Sequence, residues 1–178
     1  MIITEASLKG AYIIDLKPIE DERGFFARTF CKKEFTDAGL NHDFVQCNSS
    51  RSVLPFTLRG MHYQTNGSEE VKLIRCVRGR IQDVIIDLRR DSDTYCKYVS
   101  IELSENNNKM LYVPVGFAHG FLSLEPYSEI AYMVSNYYSS KDERGVRWND
   151  SAFQIKWDAV PQVISEKDKK HPDYIKQR

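Results

Sequence analysis

Apolar and polar residues alternate at a period of two through most of the chain, the pattern of strands with one face buried. The clearest run is 71–88, which predicts two apolar-rich strands broken at Arg78-Gly79-Arg80. Further strands are expected at 98–103, 110–113, 121–124 and 130–134, with turns at Asn106-Asn107-Asn108 and Pro114-Val115-Gly116. Residues 2–16 alternate more weakly around Tyr12-Ile13-Ile14, and Glu20-Asp21-Glu22-Arg23-Gly24 makes a charged turn before Phe25 and Phe26. A helical period fits only 32–40, with Gly39 near its end, and a short terminal helix opened by Ser165-Glu166-Lys167-Asp168 in the manner of a capping box. Many short strands at this spacing indicate an all-β sandwich or barrel. We expect one domain over residues 1–178, with 139–178 as a C-terminal cover whose Trp148 and Trp157 need a surface to bury against.

Composition narrows the class. A chain of 178 residues builds a sizeable core without disulfides, and 25 basic residues balance 25 acidic ones. No net field draws it to nucleic acid or to an anionic membrane, although a local basic cluster can still hold a phosphate. Cys31, Cys47, Cys76 and Cys96 are far apart with no Cys-x-x-Cys, and there is no apolar leader or membrane-length run, so a cytoplasmic location is expected.

Chemistry concentrates in Thr57-Leu58-Arg59-Gly60-Met61-His62-Tyr63-Gln64 and the following Glu70-Val71-Lys72-Leu73. Ionisable groups here sit in segments that otherwise read as buried strand, where they are costly without a task. Lys72 shares a strand face with Ile74 and Cys76; if that face is inward, the lysine offers positive charge to a developing oxyanion, and otherwise it is an edge residue snorkelling to water. A second concentration, Pro114-Val115-Gly116-Phe117-Ala118-His119-Gly120-Phe121, sets a histidine between a turn and an apolar strand. Alone, His119 reads as a hydrogen-bonded core residue, Tyr132 as a core or rim aromatic, and Asp168 as part of a helix cap.

Together these segments resemble the two signature motifs of the cupin superfamily, which implies a double-stranded β-helix, or jelly roll, with a few short peripheral helices. Cupins often bind a metal through histidines and a carboxylate, for which Glu70 and His119 would join His62. Gln64 stands where the usual second histidine would be, so a metal-free site is expected. The blocks Arg23-Gly24-Phe25-Phe26, Phe44 to Ser49, Leu58 to Gln64, Lys72-Leu73, Gly79 to Val84, Asp87-Leu88-Arg89, Pro114 to Phe121, Tyr132, Tyr138, Trp148-Asn149-Asp150 and Ser165 to Asp168 run in order along nearly the whole chain. In that order they resemble the dTDP-4-dehydrorhamnose 3,5-epimerase family.

That resemblance implies a homodimer inverting C3 and C5 of a nucleoside-diphosphate 4-keto-6-deoxyhexose without a cofactor. His62 would be the base, Asp168 the carboxylate that orients it, Lys72 the stabiliser of charge at the C4 oxygen and Tyr132 the proton donor. Arg23, Arg59 and Lys167 would contact phosphates and nucleoside, Gln46, Asn48 and Glu143 would make polar contacts, His119 would lie near the sugar and Tyr138 would stack on the base. Two positions depart from the family pattern: Arg28, counted among the ligand contacts, replaces an acid, and Cys47 replaces an aspartate. Both remove negative charge where the nucleotide is expected, so a CDP-linked or other sugar stands beside the dTDP-linked one. Two rival readings are an epimerase acting at one carbon only and a metal-binding or non-catalytic cupin. Solvent exchange at each carbon separates the first, and metal content the second.

Overall fold

The structure, a computed structural model, describes residues 1–176. In chain order the elements are β1 (Ile2–Glu5), β2 (Tyr12–Asp15), β3 (Ile19–Asp21), β4 (Gly24–Phe26), α1 (Lys32–Asp37), β5 (Gln46–Ser52), β6 (Thr57–Gln64) and β7 (Lys72–Arg78). There follow β8 (Arg80–Asp87), β9 (Tyr98–Ser104), β10 (Lys109–Val113), β11 (Phe117–Ser123), β12 (Ser128–Val134), β13 (Glu143–Gly145), β14 (Val163–Ile164) and α2 (Glu166–Lys169).

Two sheets pack face to face. One runs β1-β2-β10-β7-β12-β5, the other β13-β6-β11-β8-β9 with β14 parallel to β6, and β3-β4 is a separate hairpin. This is a jelly roll. The strands on either side of Gly79 are not a hairpin: β7 belongs to the first sheet and β8 to the second. Gly79, at φ +69°, makes that corner in a conformation β-branched residues avoid.

Burial explains the layering. Ile74 and Cys76 of β7, Leu111 of β10, Ile81 and Ile85 of β8 and Phe121 of β11 meet between the sheets. Each such large apolar side chain contributes about 1.5–3 kcal/mol by leaving water. The outer face of the first sheet is covered by Phe35 and Leu40 around α1, which pack on Leu73, Met110 and Tyr112. That of the second is covered from the C-terminal side by Val146 and Phe153, with Trp157 and Tyr174 beside them, over Met61, Val84 and Ile86. Trp157 donates its indole N–H to the Trp148 carbonyl at 3.0 Å.

Two differences from the sequence expectation have physical causes. The helix α1 is shorter than 32–40, because Ala38 closes it and Gly39 turns at φ +70°. Strand β11 begins at Phe117 rather than Phe121, so His119 lies within a ladder flanked by β6 and β8. The β6–β11 ladder also has a constraint of its own. A Cβ on Gly60, at φ +119°, would lie 2.6 Å from the Gly120 Cα and 2.8 Å from the His119 oxygen, so glycine lets the strands approach at the register shift between His119 and Phe121.

Candidate active site

Between the sheets the apolar filling gives way to a cavity of about 500 Å³ lined by His62, Lys72, His119, Tyr132, Asp168 and Arg59, with Lys167 at its edge. Strand register brings these groups together. On the second sheet His62 of β6 is directly opposite His119 of β11, so both rings project from one face. On the first sheet Lys72 of β7 is opposite Val134, which is opposite Gln46, and Tyr132 is opposite Asn48 and Ile74. With a period of two, Gln46, Asn48, Lys72 and Tyr132 therefore share the face that carries buried Ile74. A smaller cavity of about 130 Å³ shares His62, Lys72 and Tyr132 and extends to Gln46, Asn48, Tyr138 and Glu143.

The histidine at the centre is held from behind. Asp168 Oδ1 is 2.6 Å from His62 Nε2, and its Oδ2 accepts the Gly60 backbone N–H at 3.1 Å. Ser165 caps α2 by accepting the Asp168 N–H at 3.0 Å, so one residue joins the helix cap and the histidine pair. Burial works against the Asp168 charge, but the bond to His62, its positive charge and the Gly60 N–H together hold the carboxyl below its usual range. With Nε2 engaged by a carboxylate, Nδ1 is the ring nitrogen left to exchange a proton with a ligand.

Lys72 Nζ pairs with Glu70 Oε1 at 3.0 Å, and both side chains are largely buried. Glu70 also accepts a hydrogen bond from Gln64. Burial, followed by the negative charge of Glu70, raises the Tyr132 pKa, which keeps the phenol protonated at neutral pH. A base, a cation and a neutral acid thus line one cavity. His119 Nε2 lies 2.6 Å from Asp83 Oδ1, and Asp83 is fully buried with its other oxygen unpartnered.

The mouth is polar. Tyr138 donates its hydroxyl to Glu143 at 2.8 Å and its N–H to the Gln46 side chain at 2.8 Å, while Lys167 pairs with Glu143. Those bonds raise the Tyr138 and Lys167 pKa values. At Glu143 burial opposes the charge, but the bond from Lys167 and then that from Tyr138 bring the carboxyl below its usual value. Arg59 donates to the Arg51 carbonyl at 3.0 Å.

Arg23 and Arg28 are not brought to the cavity within the chain. Arg23 is exposed on the β3–β4 hairpin and chelates Asp21, and Arg28 pairs with Glu34 at 3.3 Å. Cys47 also departs from its expected neighbourhood: between Gln46 and Asn48 on β5, opposite Met133, it falls on the other face of the strand. The Cys47 substitution therefore leaves the charge lining the cavity unchanged.

Sequence reasoning missed Asp83 as partner of His119, Glu70 as partner of Lys72, and His171. Glu70 was open to recognition, since it precedes Lys72 by two positions on the same strand parity; it entered only as a metal ligand. His62, Glu70 and His119 form no metal cluster among the described residues, where the group that does gather is His62, Asp168 and His171.

The family model for dTDP-4-dehydrorhamnose 3,5-epimerase matches residues 5–176. The enzyme of that name from Shigella flexneri is 40% identical over 169 residues, 94% of this chain and 93% of its own. A crystal structure of dTDP-4-dehydrorhamnose 3,5-epimerase from Bacillus anthracis with TDP and PPi bound superposes with a TM-score of 0.94 at 39% identity, covering 97% of this chain and 99% of that one. The Legionella pneumophila epimerase in complex with dTDP-4-keto-L-rhamnose gives a TM-score of 0.89 at 36% identity, covering 94% and 89%. Sequence, fold and the cavity's acid–base residues converge, and the chain belongs to the dTDP-4-dehydrorhamnose 3,5-epimerase family.

Proposed function

We propose that this chain converts dTDP-4-dehydro-6-deoxy-D-glucose to dTDP-4-dehydro-L-rhamnose by inverting C3 and then C5, or the reverse. The observation that carries the reading is the cavity that places the His62–Asp168 pair, Lys72 and Tyr132 on facing sheets, in a chain of this family. The C4 ketone acidifies the hydrogens on both neighbours. His62 removes one, the charge that develops at the C4 oxygen lies against the Lys72 ammonium, and Tyr132 returns a proton from the opposite face. Each inversion leaves an imidazolium and a phenolate, which solvent resets before the next. No step uses a cofactor.

The sugar occupies the deep end among His62, His119 and Tyr132. The diphosphate and nucleoside lie toward Arg59, Lys167, Tyr138 and Glu143, where arginine and an aromatic ring suit phosphate and base. Residues 139–176 cover the second sheet and carry Asp168 to the cavity, while 177 and 178 of the expected cover 139–178 lie outside the described residues. Arg23 and Arg28 reach a ligand from a second copy in a homodimer, a reading supported by exposed Ile19, Phe25 and Phe26 on the hairpin. A cytoplasmic setting is supported by four free cysteines, and among the described residues no helix is long and apolar enough to cross a membrane.

Proton NMR of the dTDP-4-keto sugar in deuterium oxide tests the chemistry. Exchange and inversion at both carbons are expected; retention of both protons overturns the scheme, and exchange at one carbon alone makes the enzyme a monoepimerase. Calorimetry with dTDP, CDP, GDP and UDP tests the carrier, with preference for dTDP expected. Preference for another nucleotide keeps the chemistry and moves the protein to a different deoxysugar.

A further inference from the structure

One group near the site has no part in the reaction just described. His171, three residues beyond Asp168, follows α2 and stacks its ring over Gly145 of β13, which is opposite His62 in the ladder. The fit is close: a Cβ on Gly145 would lie 2.2 Å from His171 Nε2. The two imidazoles meet edge to face with centroids 5.9 Å apart. His171 Nε2 is buried, has no hydrogen-bond partner, and stands 3.6 Å from Asp168 Oδ1, too far for a hydrogen bond. A buried imidazole nitrogen with no partner is costly, and here it points at a carboxylate already shared with a second imidazole.

We propose that His62, Asp168 and His171 form a site for Zn²⁺ or a similar divalent transition metal, and that occupancy switches the epimerase off. The three ligand atoms lie within 4.8 Å of one another, and this is the one such group of three or more among the described residues. Two imidazoles and a carboxylate are the donors that zinc and its neighbours prefer, whereas Mg²⁺ and Ca²⁺ favour all-oxygen sets. Tetrahedral ligands around zinc stand about 3.3 Å apart. The Asp168–His171 separation of 3.6 Å already approaches that, and the His62–Asp168 contact of 2.6 Å opens by about 0.7 Å to admit the ion.

The consequence follows from what the metal takes. It replaces the hydrogen bond that orients His62 and fixes positive charge beside the ring, so His62 no longer accepts a proton. Inhibition rests on the reading of His62 as the base, but metal binding does not, and two measurements separate them.

Metal-stripped protein is titrated with Zn²⁺ by calorimetry and with Co²⁺ by visible absorption, while turnover is followed in parallel. One equivalent of Zn²⁺, a tetrahedral Co²⁺ spectrum, loss of turnover with occupancy and recovery on adding a chelator are expected, with no effect of Mg²⁺. His171→Ala keeps metal-free turnover within a few-fold and weakens Zn²⁺ binding about tenfold or more. Gly145→Ala, which drives the ring away without removing a ligand, weakens it too. Zn²⁺ binding unchanged in both variants, or absent from the parent protein, overturns the site. Binding that depends on His171 but leaves turnover intact upholds the site and overturns both the switch and the assignment of His62 as base.

Discussion

The cavity holds two histidine–aspartate pairs of equal length, and they are not equivalent. His62–Asp168 and His119–Asp83 both close at 2.6 Å, from histidines directly opposite each other on β6 and β11. The His62 side chain is 31% exposed and that of His119 only 10%. Both oxygens of Asp168 are engaged, by His62 and the Gly60 N–H, while Asp83 is wholly buried with one oxygen unpartnered. Their origins differ too: Asp83 comes from β8 next to β11 in the sheet, and Asp168 arrives from α2 at the far end of the chain. A short hydrogen bond does not by itself make a catalytic pair. Access to the ligand, and a carboxylate whose charge is fully supported, distinguish the pair suited to proton transfer from the pair suited to holding a ring in place.

Substitutions break this contrast in a definite order. His62→Ala is expected to have the largest effect, a loss of turnover on the order of 10⁴-fold with exchange abolished at both C3 and C5, read by deuterium incorporation. Asp168→Asn preserves shape but withdraws the charge behind the ring, and kcat is expected to fall on the order of 10³-fold with little change in the melting temperature. Tyr132→Phe sharpens the division between abstraction and return of the proton. Net inversion should fall about 10²-fold while exchange at the carbon that His62 deprotonates persists.

The second pair answers in stability instead. Asp83→Ala leaves His119 buried without a partner and is expected to cost about 1–3 kcal/mol in urea unfolding, with turnover of the folded fraction changed less than about tenfold. A turnover loss as large as that of Asp168→Asn would make the two pairs equivalent and undo the contrast.

Asp87 supplies an effect on stability alone, distinguished by its pH dependence. Burial opposes its charge, but bonds from Arg89, Ser92 and Thr94 bring its pKa from 3.8 to about 2. A depressed carboxyl stabilises the fold above its unfolded pKa and loses that contribution as pH falls toward the folded one. Asp87→Asn should therefore forfeit roughly 2 kcal/mol at pH 7 and progressively less between about pH 4 and pH 2. Urea midpoints at several pH values check this.

Much of the site was legible before the fold. Alternation, a local property, put Lys72 on the face of Ile74 and Cys76 but left open whether that face turns inward, and the same parity explains why Cys47 turns away from the cavity while Gln46 and Asn48 line it. The roles expected of His62, Asp168 and Tyr132 came from the order of family motifs. Alternation alone left His62 on a half-buried strand and Asp168 in a helix cap. Of the ion pairs, Glu70 with Lys72 was open to recognition from strand parity, whereas Asp83 with His119 depends on which strand is neighbour to which and Asp87 with Arg89 on their rotamers.

What the sequence determined by itself was the all-β class, the break at Gly79, which residues share a strand face, and the family. These rest on a period of two, on the φ that only certain residues tolerate, and on motif order, all of which act within a few residues or along the chain. Only the tertiary structure decided that β7 and β8 part into different sheets, that His62 and His119 stand opposite each other, and that α2 returns 106 positions later to set Asp168 against His62 and His171 beside them both. Those contacts arise because each sheet must bury its second face. The segments that satisfy this need, α1 and the C-terminal stretch, carry their polar residues to wherever that burial takes them.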